Sequence, residues 1–468
     1  MTFNKSGFNP MVPLVGLSVQ ARRLLTGTYG QTKYTRYLES IQWLPEDELK
    51  RIQAARLCEL MSHAVLNVPY YKGLQNRLKL TPESAFSDIL EFPVVSKGIL
   101  ARDPGAFIDP AVPVVFGMIT GGTSNVDFKV IRDAFSANLR NDEYFNRMTG
   151  IYPGMRRILL SWHESNYMSA DKPDIEYKAN RFSGTYLFRP TPLTEQTLDK
   201  IYRTIVSVKP FFIKGNINAI MSLAEYIRNN GLHKVDVPVI RGYGSRMMPY
   251  YRDFFKEIFN AEVFDSYGST ESNYIASECN EHDGMHYSPS THFLELMKPD
   301  GSLAKEGETG SILITSMVHR AMPIIRYEIG DYVSFSKGRC GCGRTFPRIR
   351  EIAGRSMESI MTDSGPFSIM DLEGILRGHD KVMDFQASET VPGVIELRLV
   401  CGNAMPDEWE TAAIADAVKR GMGGFEVNVC YVDRVSMMPS AKTLRMMPYG
   451  IEAAKPAAAE PAKEEEAI

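Results

Sequence analysis

Six cysteines in 468 residues are too few to hold a fold together by disulfides. No apolar run reaches the roughly 18–20 residues that a membrane span requires. The N-terminal stretch MVPLVGLSVQARRLL is broken by Gln20, Arg22 and Arg23 and precedes nothing like a cleavage site, so it reads as neither signal nor anchor. Charge of one sign is scarce as well: 53 Lys and Arg face 56 Asp and Glu, a net charge of −3. The last twenty residues hold five Glu against two Lys and account for that imbalance, leaving a neutral body. A neutral body lacks the basic face that releases counterions from a phosphate backbone, which excludes a general nucleic-acid binder. The expectation is a reduced, cytoplasmic protein with no transmembrane segment.

Apolar residues make up 44% of the chain and charged residues 23%, so a sizeable core is assured, and the length predicts two to four domains. Residues 45–72 place Ile52, Ala55, Leu57, Leu60, Met61, Ala64 and Val65 at helical spacing, with Pro45 at the start and Asn67-Val68-Pro69 at the end. Short β-rich runs at 156–162, 235–244 and 261–268 then alternate with helices, one ending near Gly231 and one over 249–259. That rhythm predicts an α/β fold with a mostly parallel sheet covered by helices. From about residue 287 strands and turns take over, as a β-rich subdomain with a hairpin on Pro299-Asp300-Gly301 and a second strand after Gly310. Residues 359–448 read as a small α+β unit, in which the strands IELRLVCG and FEVNVCYVDRV flank an amphipathic helix. The tail at 449–468 is low in complexity and is expected to be disordered.

Five short motifs carry chemistry. ITGGTSNVDFK (119–129) can offer backbone N–H groups and hydroxyls to an anion, although it lacks the lysine of a Walker loop. DSYGSTE (265–271) offers a ring, a hydroxyl and a carboxylate on one turn. RYEIGD (326–331) ends a strand on a carboxylate suited to two ribose hydroxyls. GRSMES (354–359) and PSAKTLR (439–445) follow. Each alone is compatible with an ordinary turn.

In their order and spacing these pieces resemble the signature elements of the adenylate-forming ligase superfamily. The resemblance is greatest to the branch of phenylacetate-CoA ligase and the capsule-biosynthesis proteins similar to it. QWLPEDEL, FPVVSKGIL, SVKPFFIKGN, SECNEHDGMH, PIIRYEIGDYV and RCGCGRTFPRIREIAGRS extend it over about residues 40–445. The resemblance implies a large ATP- and acyl-binding domain (1–353), a hinge (354–358) and a small mobile C-terminal domain (359–448). It implies that Thr120, Gly121, Gly122, Thr123 and Ser124 hold the β- and γ-phosphates of ATP. Tyr267 beside Gly268 would stack on adenine, Thr270 would meet the α-phosphate and Glu271 would bind Mg²⁺. Asp331 and Arg355 would grip the ribose, and Gly244 and Ser245 would line the adenine site. Lys442 would bridge carboxylate, α-phosphate and ribose oxygen during adenylation.

The implied reaction is ATP-dependent activation of a small carboxylic acid as its acyl-adenylate, followed by transfer to CoA or another acceptor. Two other readings are an adenylyltransferase that stops at AMP transfer and a nucleotide-binding relative without turnover. The sequence departs from the family pattern at Asn125 and Val126-Asp127 in the phosphate loop and at Arg246, where Glu is common. It departs again at Met357 in the acidic hinge position, with Glu358 following, and at Ala441 before Lys442. Separately, Cys340-Gly341-Cys342 is a knuckle able to give two thiolates, and Cys279 and His286 complete a structural zinc set of ordinary composition. His282 competes for the histidine place.

Overall fold

A computed structural model of the chain describes residues 29–119, 129–133, 141–160, 177–180, 184–188, 193–298, 300–355, 359–363, 365–402, 404–436 and 443–450. The chain divides into two compact units, Met1–Arg355 and Ser356–Ile468. The expected hinge residue Met357 and residues 451–468 of the C-terminal tail lie outside the described residues.

In the first unit the strands run in chain order as β1 (Val95–Ser96), β2 (Val114–Ile119), β3 (Lys129–Asp133), β4 (Arg157–Leu160), β5 (Tyr177–Asn180), β6 (Thr185–Phe188), β7 (Phe212–Asn216) and β8 (Val239–Tyr243). They continue as β9 (Glu262–Ser269), β10 (Asn273–Glu278), β11 (Met285–Tyr287), β12 (His292–Met297), β13 (Thr309–Ser316), β14 (Tyr327–Phe335) and β15 (Arg348–Arg355). Its longer helices include α1 (Tyr29–Ile41), α2 (Glu46–Asn67), α3 (Asp142–Met148), α4 (Glu195–Val208), α5 (Ile217–Asn229) and α6 (Pro249–Phe259).

The predicted helix over 45–72 is α2. Glu46, Asp47 and Glu48 occupy its positively polarised first turn. Pro69 forces the preceding Val68 into an extended conformation (φ −99°, ψ 119°), and the helix stops there. In α6 Pro249 takes the first turn, where its missing N–H costs nothing, and Asn260 closes the helix in the left-handed region at φ 50°.

One sheet holds thirteen of the described strands. At its centre β6, β4, β7, β8 and β9 run parallel, with β5 antiparallel at the edge. Leu198, Ile201 and Ile205 of α4, Leu223 and Ile227 of α5 and Phe255 and Phe259 of α6 cover one face, over Ile158, Ile213, Ile240 and Val263. The opposite face is apolar lower down, at Leu159, Phe212, Val239 and Phe264. Higher up it turns polar, with Lys214, Arg241 and Ser266 buried there. Lys214 pairs with Asp142 of α3 at 2.8 Å, which compensates its lost hydration. Beyond β9 the sheet continues antiparallel through β10, β11, β15, β14, β13 and β12, the expected β-rich subdomain. The predicted hairpin is β12–β13, in register from His292↔Ser316 to Met297↔Ser311.

In the second unit a hairpin of β16 (Ser359–Thr362) and β17 (Gly365–Ser368) precedes α7 (Ile369–Leu376). Ser368 and Asp371 form a capping box that satisfies the exposed start of α7. A four-stranded sheet follows, from β18 (Val382–Val391), β19 (Val394–Cys401), β20 (Glu426–Tyr431) and β21 (Met446–Met447), in the order β20-β19-β18-β21. Ile414, Val418 and Met422 of α8 (Glu408–Met422) pack on Ile395, Leu397 and Leu399.

Candidate functional site

Strand β9 belongs to both halves of the sheet. Up to Ser266 it pairs parallel with β8, and from Ser266 to Ser269 it pairs antiparallel with β10. Its end therefore lies at the carboxyl ends of the parallel strands, where open α/β sheets leave a crevice for ligands. Gly268 is required by close packing, since a Cβ there would stand 2.5 Å from the Asn273 carbonyl oxygen.

The structure brings several of the sequence-predicted residues together around this end. Tyr267 is buried, and its hydroxyl donates to Asp331 Oδ2 at 2.8 Å. Asp331 on β14 faces Arg355 of β15 in register. The expected adenine ring partner and the expected ribose carboxylate are thus one hydrogen-bonded pair. On the next turn Glu271 is also buried, and Tyr327 donates its hydroxyl to Glu271 Oε1 at 2.8 Å. Neither tyrosine contact is legible from spacing, because the partners lie 64 and 56 residues apart.

Gly244 follows β8 at φ +83°, a conformation that side chains resist, and a Cβ there would meet Asn216 Nδ2 at 2.9 Å. Asn218 donates through Nδ2 to Ser245 Oγ at 3.0 Å. Arg246 reaches Glu351 of β15 at 2.9 Å, so the cation that replaces the family's usual Glu has an acidic partner across the chain. Thr120, Gly121, Gly122, Thr123, Ser124 and Lys442 lie outside the described residues. The residues just after Lys442 are firmly held: Arg445 forms a buried two-pronged pair with Asp384 at 2.8 and 3.0 Å. Gln386 donates to the Leu444 carbonyl at 2.8 Å, and Met446 pairs with Ala387.

A second cluster forms behind the same hairpin. Cys279 follows β10, His286 lies on β11, and Cys340 and Cys342 lie between β14 and β15. Their four ligand atoms all lie within 4.8 Å of one another. Cys279 Sγ and Cys340 Sγ are 3.6 Å apart, and Cys342 Sγ is 3.4 Å from His286 Nε2. That is too long for a disulfide. Two thiolates at about 2.3 Å from one tetrahedral zinc lie about 3.8 Å apart, so the spacing fits a shared ion. His286 is fully buried, and burial pushes its pKa down to about 4, which keeps the imidazole neutral and able to ligate. Its Nδ1 donates to the Phe346 carbonyl at 3.0 Å, the orienting contact usual for a ligating histidine. His282 turns away. Its ring contacts Glu262 at 2.7 Å and Glu278 at 3.2 Å and stacks on Phe264, so the choice between the two histidines falls on His286.

No protein-family model matches the sequence. Among curated proteins it is 24% identical over 348 residues to the phenylacetate-coenzyme A ligase of Thermus thermophilus, covering 69% of this chain and 74% of that one. It is 21% identical over 307 residues to Protein CapK of Staphylococcus aureus, covering 64% and 67%. These similarities agree with the expected resemblance to phenylacetate-CoA ligase and the capsule-biosynthesis proteins. Solved structures of a CoA ligase share its fold. The chain superposes on 2-hydroxyisobutyryl-CoA ligase, in the postadenylation state with 2-HIB-AMP, with a TM-score of 0.69 at 17% identity, covering 87% of this chain and 91% of that one. With the same ligase in an open conformation holding 2-HIB-AMP and CoA the TM-score is 0.61, also at 17% identity, covering 86% and 93%. The buried Tyr267–Asp331 pair ties β9 to β14, and the Glu271–Tyr327 pair ties the turn after β9 to the start of β14. No helix among the described residues is long and apolar enough to cross a membrane.

Proposed function

We propose that the protein activates a carboxylic acid with ATP as its acyl-adenylate and then passes the acyl group to CoA. The carboxylate oxygen attacks the α-phosphorus and pyrophosphate leaves. The CoA thiolate then attacks the acyl carbon and AMP leaves. The observation that carries this reading is the convergence of Tyr267–Asp331 and Thr270–Glu271–Tyr327 at one end of β9. Asp331, held by the Tyr267 hydroxyl, presents a fixed acceptor to ribose hydroxyls. Thr270 offers a hydroxyl to the α-phosphate. Glu271, held by Tyr327, presents its carboxyl where Mg²⁺ would bind. Attack of one anion on another needs positive charge, which Mg²⁺ would supply when bound, with Lys442 as the second cation.

The Cys279, His286, Cys340 and Cys342 set would hold one zinc ion with no open position, a structural role. Its thiolates need a reducing compartment, which is the reason to place the protein in the cytoplasm. The second reading, adenylation outpacing transfer, is favoured by Met357, which cannot accept the hydrogen bonds of an acidic hinge. An amine or hydroxyl acceptor from a polysaccharide-type pathway is the other route for the acyl group.

The test is purified protein with ATP–Mg²⁺ and a panel of aryl and acyl acids, scored for pyrophosphate release and then for CoA consumption. Acid-dependent pyrophosphate release supports the reading, and its absence across the panel counts against it. Thioester formation as fast as pyrophosphate release would remove the hinge argument.

A further inference from the structure

Arg132 lies on β3, outside every motif that carries the family resemblance. Strand β3 starts at the residue after the glycine-rich stretch 120–128 and pairs with β2, with Arg132 opposite Phe116. The arginine is 1% exposed. Its Nη2 donates to two successive backbone carbonyls of the turn after β9, those of Thr270 and Glu271, the second at 2.9 Å. The next carbonyl, of Ser272, accepts from His292 Nε2 at 3.2 Å. The Ser272 N–H donates to Ser269 Oγ at 3.0 Å. Side chains therefore satisfy three consecutive carbonyls of this turn, and β3 and β12 fix the direction of its peptide planes.

The clamp is itself braced. Asp133, the next residue of β3, accepts from the N–H groups of Arg320 and Ala321 at 3.0 and 2.9 Å. The buried His319 of that loop is held neutral, because burial and the neighbouring Arg132 charge both oppose a second cation. A guanidinium is suited to this task. It stays charged when buried, and its planar fork is pre-organised for several acceptors, whereas an ammonium is a point charge on a flexible stem.

We propose that Arg132 is a positioning residue, which sets the Thr270 hydroxyl and the Glu271 carboxyl for a magnesium–nucleotide by gripping the carbonyls of those two residues. The inference rests on the reading of Thr270 and Glu271 as phosphate and metal contacts. Partners that orient metal-binding side chains change metal affinity or activity by about 10- to 100-fold when removed.

The experiment is calorimetric titration of the full chain with ATP over a series of Mg²⁺ concentrations, on wild type, Arg132→Met, Arg132→Lys, Glu271→Gln and the Arg132→Met/Glu271→Gln double variant. In Arg132→Met the Mg²⁺ concentration for half-maximal ATP affinity should rise about tenfold or more, with Arg132→Lys between it and wild type. In the Glu271→Gln background the effect of Arg132→Met on Mg²⁺ dependence should shrink to less than about twofold, because coupled residues are not additive. Thermal melting of each variant separates folding from binding. Absence of Mg²⁺-dependent ATP binding in wild type would overturn the functional reading itself. With wild type binding, an unchanged Mg²⁺ dependence in Arg132→Met would overturn the positioning role. So would an equal loss with and without Mg²⁺ that Arg132→Lys does not recover.

Discussion

Withdrawing zinc should loosen the protein measurably. The 3.6 Å Sγ–Sγ and 3.4 Å Sγ–Nε2 separations join the end of β10, strand β11 and the β14–β15 connection, segments up to 63 residues apart. A metal bound only by the folded form adds about 4 kcal/mol of stability when present at 1,000 times its dissociation constant. In a unit of 355 residues each kcal/mol moves the melting temperature by about 1.3 °C, so chelation should lower it by about 5 °C. The assay is elemental analysis of protein purified without chelator, followed by thermal melting before and after treatment with a strong chelator. About one zinc per chain is expected. Cys340→Ser should lose most of it, whereas His282→Ala should keep it, because the His282 ring is engaged by Glu262 and Glu278. Zinc-free protein whose melting temperature ignores the chelator, or loss of zinc in His282→Ala, would refute the reasoning.

Three further outcomes follow from other parts of the molecule. Lys442→Ala should slow pyrophosphate release by about 10²–10³-fold while leaving ATP binding nearly intact, by analogy with the loss of one charge-stabilising donor; release at the wild-type rate would remove the lysine from the chemistry. Burial holds the His292 pKa down to about 4, so unfolding takes up a proton between about pH 6.5 and 4 and stability falls as the pH drops through that window. The contribution is up to about 3 kcal/mol, and urea unfolding of His292→Gln should depend less steeply on pH than wild type. Asp384→Ala strands the buried Arg445 guanidinium and should cost about 3–5 kcal/mol, read from the denaturant transition of the second unit within the full chain, with adenylation falling because β21 anchors the residues after Lys442.

The sequence by itself determined those features whose causes are local. Pro45 and Pro69 bound α2, Pro249 starts α6, and alternating β and α patterns predict the parallel strands, because helix caps and side-chain periodicity act over a few residues. Tyr267, Thr270, Glu271 and Asp331 are legible as motif residues, since each sits in a short stretch of recognisable composition. The tertiary structure alone decided between His282 and His286, which are four residues apart in one short segment and face opposite surroundings. It alone showed the hydroxyls of Tyr267 and Tyr327 as tethers for two carboxyls, and Arg132 as a clamp 138 and 139 residues distant from its carbonyls. An isolated arginine on a strand has no local signature. Its role comes from backbone carbonyls that the sheet buries beside it, and buried carbonyls must find donors wherever the fold supplies them.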